Sequence, residues 1–234
     1  MALLSSSEQE LVPLTPCATN PKMVILVKRE FSTARAQHKP LLKLFSALAA
    51  RISCYDDPPK DTGYWYGERA LTGFLASAAW SLRDGWALEE FTGLRVNGKK
   101  QGSGRGDIWV GVNGHSYTIE AKAVWPGGSI DKAITGAETK LSDAATQLRC
   151  LHKMYQVGRP VALCYIIPDL NKKGRFAGSR TIRDFFTDMP KRFGDTRTAV
   201  ASFWYEKQVP NYAGRIYPGV VIVARILSGW AKKD

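Results

Sequence analysis

Asn113-Gly114 is the sequence feature that most constrains the fold, because it separates two runs in which apolar and polar residues alternate. Asn-Gly is the strongest short signal for a two-residue turn between antiparallel strands. If the residues that flank this turn pair with each other, the register of the whole hairpin follows, and Asp107 lies opposite Glu120. We therefore predict a β-hairpin that sets two carboxylates side by side, with Cβ atoms about 5 Å apart.

The two faces of this hairpin differ in character. One face is apolar and consists of Ile108, Val110, Val112, Tyr117, Ile119, Ala121 and Ala123. Burial of that face against a core would secure the register, because a slip by one residue would turn these side chains to solvent. The other face carries both acids and Lys122, which strand alternation places about 7 Å beyond Glu120.

Two carboxylates set opposite each other repel, so this pair requires a compensating charge. A divalent metal fits this requirement best, because Mg²⁺ takes one or two carboxylates and completes its shell with water and phosphate oxygens. The alternative is a surface charge ladder in which Lys122 is an ordinary salt-bridge partner.

Asp107 followed on the next strand by Glu120-Ala121-Lys122 resembles the PD-(D/E)XK nuclease superfamily. The resemblance implies that Asp107 and Glu120 bind Mg²⁺, for which Mn²⁺ can substitute, and that the Ala121 carbonyl is an additional ligand. It also implies that Lys122 orients or deprotonates the attacking water. This chain departs from the family signature at Gly106, which stands where the family has a proline before the first acid.

A preceding helix often supplies another glutamate in this family, and Glu68 is its counterpart here. Glu68 shares one predicted helical face with the apolar residues Leu71, Leu75, Ala78 and Leu82. We expect Glu68 to assist the metal site. The alternative is a glutamate at the start of a helix that stabilises the helix macrodipole.

The family resemblance also implies the fold class, which is α/β with a restriction-endonuclease-like core. That core is a central mixed β-sheet flanked by helices in the order αβββαβ, and it would cover about residues 64–168. Patterning predicts a helix over 66–82, a strand over 87–92, the hairpin, a helix from Ser129 as N-cap to about Tyr155, and a strand over 161–167.

Outside this core the sequence predicts elaborations of a single domain over 22–234. Residues 1–21 are predicted to be a loose leader, because they are rich in Ser, Pro, Thr and Asn. We predict a strand over 23–28, a helix over 34–52, and in the C-terminal elaboration (169–234) a helix over 180–189 and strands over 198–205 and 220–226.

Two polar residues of the long helix are secondary site candidates. A polar residue on this helix often reaches the active site in family members, and Lys140 and Gln147 lie on one side of the helix here. The alternative is that both are simply exposed to solvent.

The charge of the chain favours a nucleic-acid partner, because a formal net charge of +12 attracts polyanions. Lys99, Lys100 and Arg105 belong to a glycine-rich segment, 97–106, which we predict to be a loop that binds phosphates beside the metal. A second basic stretch extends over 172–192. The alternative for both is a set of solvated loops on a basic protein.

Several classes of protein are disfavoured. The three histidines and four cysteines lack zinc-site or disulfide spacing, so the cysteines are expected to be reduced thiols. The N-terminal residues do not read as a secretory signal, and no apolar run approaches the ~20 residues of a membrane span. We therefore expect a cytoplasmic protein with no membrane partner.

These features together predict a Mg²⁺-dependent nuclease that hydrolyses phosphodiester bonds, with double-stranded DNA as the expected substrate. An endonuclease of restriction or repair type is the expected form, and cleavage of both strands would favour a homodimer. One alternative is a non-catalytic nucleic-acid-binding or regulatory protein on a nuclease scaffold. Another alternative is a protein-interaction module that neither cleaves nor binds nucleic acid.

Overall fold

A computed structural model describes residues 10–13, 23–27, 39–55, 63–97, 100–151, 156–170, 176, 181–193, 197–205, 214–228 and 230. In chain order, the elements are β1 (Glu10–Pro13), β2 (Met23–Val27), α1 (Lys39–Tyr55), a 3-10 turn (Gly63–Tyr66), α2 (Glu68–Ser81), β3 (Trp86–Asn97), β4 (Lys100–Val112), β5 (His115–Val124), α3 (Ile130–Arg149), β6 (Arg159–Ile166), α4 (Ile182–Arg192), β7 (Thr198–Tyr205) and β8 (Gly219–Ile226).

The strands of the described residues form one eight-stranded mixed sheet in the order β1-β2-β7-β8-β6-β5-β4-β3. Only β5 and β6 pair in parallel among these neighbours, and α3 makes the crossover between them. All other neighbouring strands are antiparallel. The predicted α/β class, with a central mixed sheet flanked by helices, is confirmed.

Helices cover both faces of this sheet and create two hydrophobic cores. One core joins α1 and α2 to the sheet, and the other joins α3 and α4 to the opposite face. Strand β6 lies between the two cores, and its residues from Pro160 to Ile166 are buried. That double burial explains why β6 is a continuous apolar run rather than an alternating one.

The predicted hairpin of β4 and β5 is confirmed. Asn113 and Gly114 both have positive φ angles, 50° and 74°, as a type I′ turn requires. Pairing runs from Val112 opposite His115 to Ile108 opposite Ile119. All seven residues of the predicted apolar face are buried, with at most 8% of their surface exposed.

The prediction of a loop over 97–106 is wrong, because this segment belongs largely to strand β4, which pairs with β3. Lys100 and Arg105 are therefore strand residues. Two glycines of β4 lie opposite aromatic residues, Gly106 opposite Phe91 and Gly111 opposite Trp86. A Cβ atom on Gly106 would lie 2.3 Å from the ring of Phe91, so the glycine gives room to an aromatic side chain. Glycines are typical of loops, but at Gly106 and Gly111 the missing Cβ atom makes room for an aromatic ring on β3.

The helix boundaries differ in part from the prediction. Ser129 is the N-cap of α3, since its hydroxyl accepts a hydrogen bond from the Lys132 amide at 3.3 Å. However, α3 ends at Arg149 and not near Tyr155. Of the helix predicted over 34–52, residues 34–38 lie outside the described residues, and α1 covers Lys39–Tyr55. Pro40 is in its first turn, where the missing proline N–H costs no hydrogen bond.

The remaining predicted elements are observed with small shifts. β2, α2, β3, β6, α4, β7 and β8 all lie where the sequence predicts a strand or helix, and β3 extends further than 87–92. Within the segment predicted to be a loose leader, Glu10–Pro13 forms strand β1 and pairs with β2.

Candidate active site

Asp107 lies where strand pairing is interrupted on both sides of β4. The pairing of β3 with β4 omits Glu90 and Asp107, and the pairing of β4 with β5 ends at Ile108 opposite Ile119. The backbone ladder therefore stops one residue before the predicted pair of Asp107 with Glu120. A side-chain hydrogen bond continues it, since Oδ2 of Asp107 accepts the amide hydrogen of Ala121 at 2.8 Å. This bond sets the orientation of the Asp107 carboxylate.

The ammonium group of Lys122 lies among the oxygens of three carboxylates. Its Nζ atom is 3.0 Å from Oε1 of Glu120, 3.7 Å from Oδ2 of Asp107 and 3.9 Å from Oε1 of Glu68. It also donates a hydrogen bond to the carbonyl oxygen of Ala121 at 2.8 Å. The structure thus brings together all four predicted catalytic residues, which we call the Lys122 cluster: Lys122, Glu68, Asp107 and Glu120.

Glu68 reaches this cluster because of the residue that precedes it. Gly67 has a φ of 78°, a conformation that other residues seldom adopt, and helix α2 begins immediately after it. A Cβ atom at Gly67 would also lie 2.9 Å from the ring of Trp125. Glu68 is therefore the first residue of α2, where a negative charge interacts favourably with the helix macrodipole. It is also a neighbour of Lys122.

The Lys122 cluster is graded in burial. The side chain of Glu120 is 2% exposed and that of Lys122 is 16% exposed, whereas those of Asp107 and Glu68 are 28% and 39% exposed. Solvent reaches the cluster from the side of Asp107 and Glu68, with Glu120 at its floor. When all are ionised, three carboxylates around one ammonium have an excess of negative charge.

This environment shifts two pKa values. Burial opposes the charge on Lys122, but the Glu120 and Asp107 carboxylates outweigh that effect and raise the pKa of Lys122 above its ordinary value. Burial also raises the pKa of Glu68, and nearby Asp107 adds to the rise, while Lys122 partly opposes it. Lys122 is therefore firmly protonated, and the ionised form of Glu68 is disfavoured.

A cleft with a volume of about 200 Å³ opens beside the cluster. It is lined by Glu68, Arg69, Thr72, Glu89, Glu90 and Asp107. Burial, and then the neighbouring Glu90, raise the pKa of Glu89. Arg69, Glu89 and Glu90 were not predicted as site residues. The two glutamates lie in the predicted strand over 87–92, and a predicted pairing of that strand with β4 would have placed them near Asp107.

The oxygens of the Lys122 cluster suit a hard cation. Within the parts of the chain that the structure describes, no three histidine, cysteine, aspartate or glutamate side chains form a ready-made metal cage. Mg²⁺ needs only one or two carboxylates, because water and substrate phosphates complete its shell. Oxygens of Asp107, Glu120 and the Ala121 carbonyl already surround one cation, the Lys122 ammonium. The same oxygens can therefore converge on a metal ion. These residues therefore fit Mg²⁺ in donor type and charge.

The other predicted site residues lie at different distances from the cluster. Arg105 forms an ion pair with Glu90 at the cleft, whereas Lys100 begins strand β4 and Lys99 lies outside the described residues. On α3, Lys140 pairs with Asp143 at 3.7 Å, and its charge weakly opposes the rise in the pKa of Glu68.

Gln147 and the second basic stretch have weaker links to the site. No contact among the described residues connects Gln147 with the Lys122 cluster. Four of the seven basic residues in the second stretch, Lys172, Lys173, Arg175 and Arg180, lie outside the described residues. The other three are on α4, where Lys191 pairs with Asp188 at 3.2 Å.

Two features outside the site were also predicted. Cys54, Cys150 and Cys164 form no disulfide bond with one another, and Cys17 lies outside the described residues. None of the described helices is both long enough and apolar enough to span a membrane.

Comparisons with known proteins identified no relative of this chain. A scan against protein-family models and searches of curated proteins and of solved structures found no match to this chain. The chemistry of the site is therefore argued from its own residues.

Proposed function

We propose that this protein is a Mg²⁺-dependent nuclease of the PD-(D/E)XK type, with a restriction-endonuclease-like core, that hydrolyses phosphodiester bonds in double-stranded DNA. The observation that carries this proposal is the convergence of Glu68, Asp107, Glu120 and the Ala121 carbonyl on one ammonium group beside an open cleft. The observed order of α2, three antiparallel strands, α3 and a parallel strand is compatible with that core.

Asp107, Glu120 and the Ala121 carbonyl would hold the ion, and Mn²⁺ would substitute for Mg²⁺. When bound, the ion supplies positive charge that polarises a phosphoryl oxygen, stabilises the leaving oxygen and lowers the pKa of a bound water. The hydrogen bond from the Ala121 amide keeps the Asp107 carboxylate in place. The near-complete burial of Glu120 restricts its motion in the same way.

Lys122 would act as a hydrogen-bond donor in this proposal. A protonated amine donates hydrogen bonds, so Lys122 would be suited to orient the attacking water and to stabilise negative charge. Glu68 would position Lys122, because its carboxylate lies 3.9 Å from the amine. Positioning of this kind lowers the barrier by reducing the reorganisation that the reaction requires.

The first test is cleavage of supercoiled and linear DNA by purified variants in the presence of Mg²⁺, with EDTA as the blank. Asp107→Asn, Glu120→Gln and Lys122→Met should each lower the cleavage rate by about 10²-fold or more, because each removes charge or a donor at the reacting centre. Lys132→Met is the matched control for Lys122→Met, since Lys132 is an exposed residue of α3. It should cleave like the wild type.

Cleavage at the wild-type rate by all three site variants would refute the assignment. Absence of cleavage of duplex DNA, single strands and RNA, together with metal-independent binding of DNA, would instead favour a non-catalytic nucleic-acid-binding protein. Absence of both activities would favour the protein-interaction module.

A further inference from the structure

Two arginines from different elements converge on the carboxylate of Glu90. Arg69 on α2 donates from Nε to Oε1 of Glu90 at 3.0 Å, and its Nη2 contacts the same oxygen. Arg105 on β4 donates from Nη1 to Oε2 of Glu90 at 2.8 Å. Each oxygen of one carboxylate is thus bound by a different guanidinium group. We call Glu90, Arg69 and Arg105 the Glu90 cluster.

This cluster adjoins the candidate active site through the chain itself. Arg69 directly follows Glu68, and Arg105 precedes Asp107 by two residues, which places Arg105 and Asp107 on one face of β4 about 7 Å apart. Arg69 and Glu90 line the same cleft as Asp107. A strand of nucleic acid that reaches Asp107 would therefore pass close to both arginines.

A competing anion can replace Glu90 in its contact with the two arginines. The side chains of Arg69 and Arg105 are 83% and 67% exposed, and exposed ion pairs contribute little to stability. Glu90 also has a φ of 46°, which is unusual for a residue other than glycine. With two guanidinium groups and one carboxylate, the cluster retains an excess of positive charge after Glu90 is bound.

Guanidinium groups bind carboxylates and phosphates through the same planar donor geometry. Building on the proposed function, we propose that Arg69 and Arg105 bind a backbone phosphate of a nucleic acid beside the cleft, and that Glu90 occupies this phosphate site in the free protein. A phosphodiester oxygen would take the donors that Glu90 now accepts, and Glu90 would be released to solvent. Glu90 is then an internal competitor of the substrate.

A comparison of two neutralising variants tests this proposal. Glu90→Gln and Glu89→Gln each remove one negative charge from the same cleft, but only Glu90 is bound by the two arginines. Binding of a short fluorescein-labelled DNA duplex would be followed by fluorescence anisotropy in EDTA, where no cleavage interferes. We expect Glu90→Gln to tighten binding by about five- to tenfold and Glu89→Gln by no more than about twofold.

The arginines supply the second half of the test. Arg69→Gln and Arg105→Gln should each weaken binding and reduce the slope of log K against log salt concentration by about 0.9. In the protein that carries both arginine substitutions, Glu90→Gln should no longer tighten binding more than Glu89→Gln does. Thermal melting of every variant would check that the fold is intact.

Equal gains from Glu90→Gln and Glu89→Gln would overturn the proposal, because they would report only the overall charge of the cleft. A gain from Glu90→Gln that persists without the arginines would overturn it as well. Failure of the nuclease proposal looks different: wild-type protein would not cleave DNA, while the coupling between Glu90 and the arginines would still appear in EDTA.

Discussion

The Lys122 cluster and the Glu90 cluster are inverse arrangements of charge, built from the first turn of α2 and the neighbouring strands β3, β4 and β5. In the first, three carboxylates surround one ammonium, and in the second, two guanidinium groups surround one carboxylate. The first is buried at Glu120, partly open to solvent at Asp107 and Glu68, and retains negative charge. The second is exposed and retains positive charge. The pair therefore offers adjacent places for a metal cation and for a phosphate anion.

The difference in burial determines what each cluster contributes to the protein. Breaking a buried ion pair is costly, because it leaves a charge without solvent or a partner. An exposed pair can exchange its partner for water at little cost. We therefore expect the Lys122 cluster to be important for stability and the Glu90 cluster to matter mainly for binding.

The largest expected effect is on folding stability. Glu120→Ala should lower the free energy of unfolding by up to about 3–5 kcal/mol, because it removes the nearest carboxylate of Lys122 and leaves only the more distant Asp107 and Glu68. Glu90→Ala should leave the unfolding midpoint almost unchanged. Urea denaturation measures both, and a constant m-value would verify that the extent of unfolding is the same. Equal destabilisation by the two substitutions would contradict the contrast between the clusters.

A second prediction concerns metal binding without catalysis. Mn²⁺ at about 100 times its Kd should stabilise the folded wild type by about 2.7 kcal/mol, since it binds only the folded state. At the same Mn²⁺ concentration, the melting temperature of Lys122→Met should rise more than that of wild type, because the ammonium that competes with the metal is gone. Arg105→Met, in the Glu90 cluster, should keep the wild-type response. Lack of any Mn²⁺-dependent rise in wild type and Lys122→Met would argue against a metal site here.

The smallest expected effect is a pair of opposite pH dependences. Burial raises the pKa of Glu68, so the contribution of Glu68 to folding stability falls as the pH rises above the ordinary carboxyl value of 4.5. Glu68→Gln should thus be more stable than wild type at neutral pH. The hydrogen bonds and the positive charge of Arg69 lower the pKa of Glu90. Glu90→Gln should therefore be slightly less stable than wild type at neutral pH.

Both differences should diminish as the pH falls, because the wild-type carboxyls then become protonated. Melting temperatures measured from neutral to acidic pH would test the signs. The same sign for both variants at neutral pH would show that the two acids do not have opposite environments.

Sequence alone predicted much of the local structure. The Asn113-Gly114 turn, the apolar face of the hairpin and the Ser129 N-cap depend on neighbouring residues, so their signals are complete within a short segment. The convergence of Asp107, Glu120 and Lys122 followed from the same hairpin register. Glu68 was identified only through resemblance to a family, since no short-range pattern connects it with the hairpin.

The extent of β4 and the end of α3 were predicted less well. Glycines near Gly106 are typical of loops, but this segment pairs with β3, and at Gly106 the absence of a Cβ atom leaves room for the ring of Phe91. The apolar stripe of α3 continues beyond Arg149, so periodicity alone placed its end too late. For β4, pairing with β3 overrides the preference of glycine for loops.

What the sequence determined by itself is the pattern of turns, caps and alternating faces, because each depends on residues close together along the chain. Only the tertiary structure decided that Glu120 is buried, that Lys122 lies among three carboxylates and that Arg69 meets Arg105 at Glu90. Those facts depend on how α2, β3 and β4 are packed against one another. Contacts between distant segments are set by the packing of the whole domain, which short-range patterns do not encode.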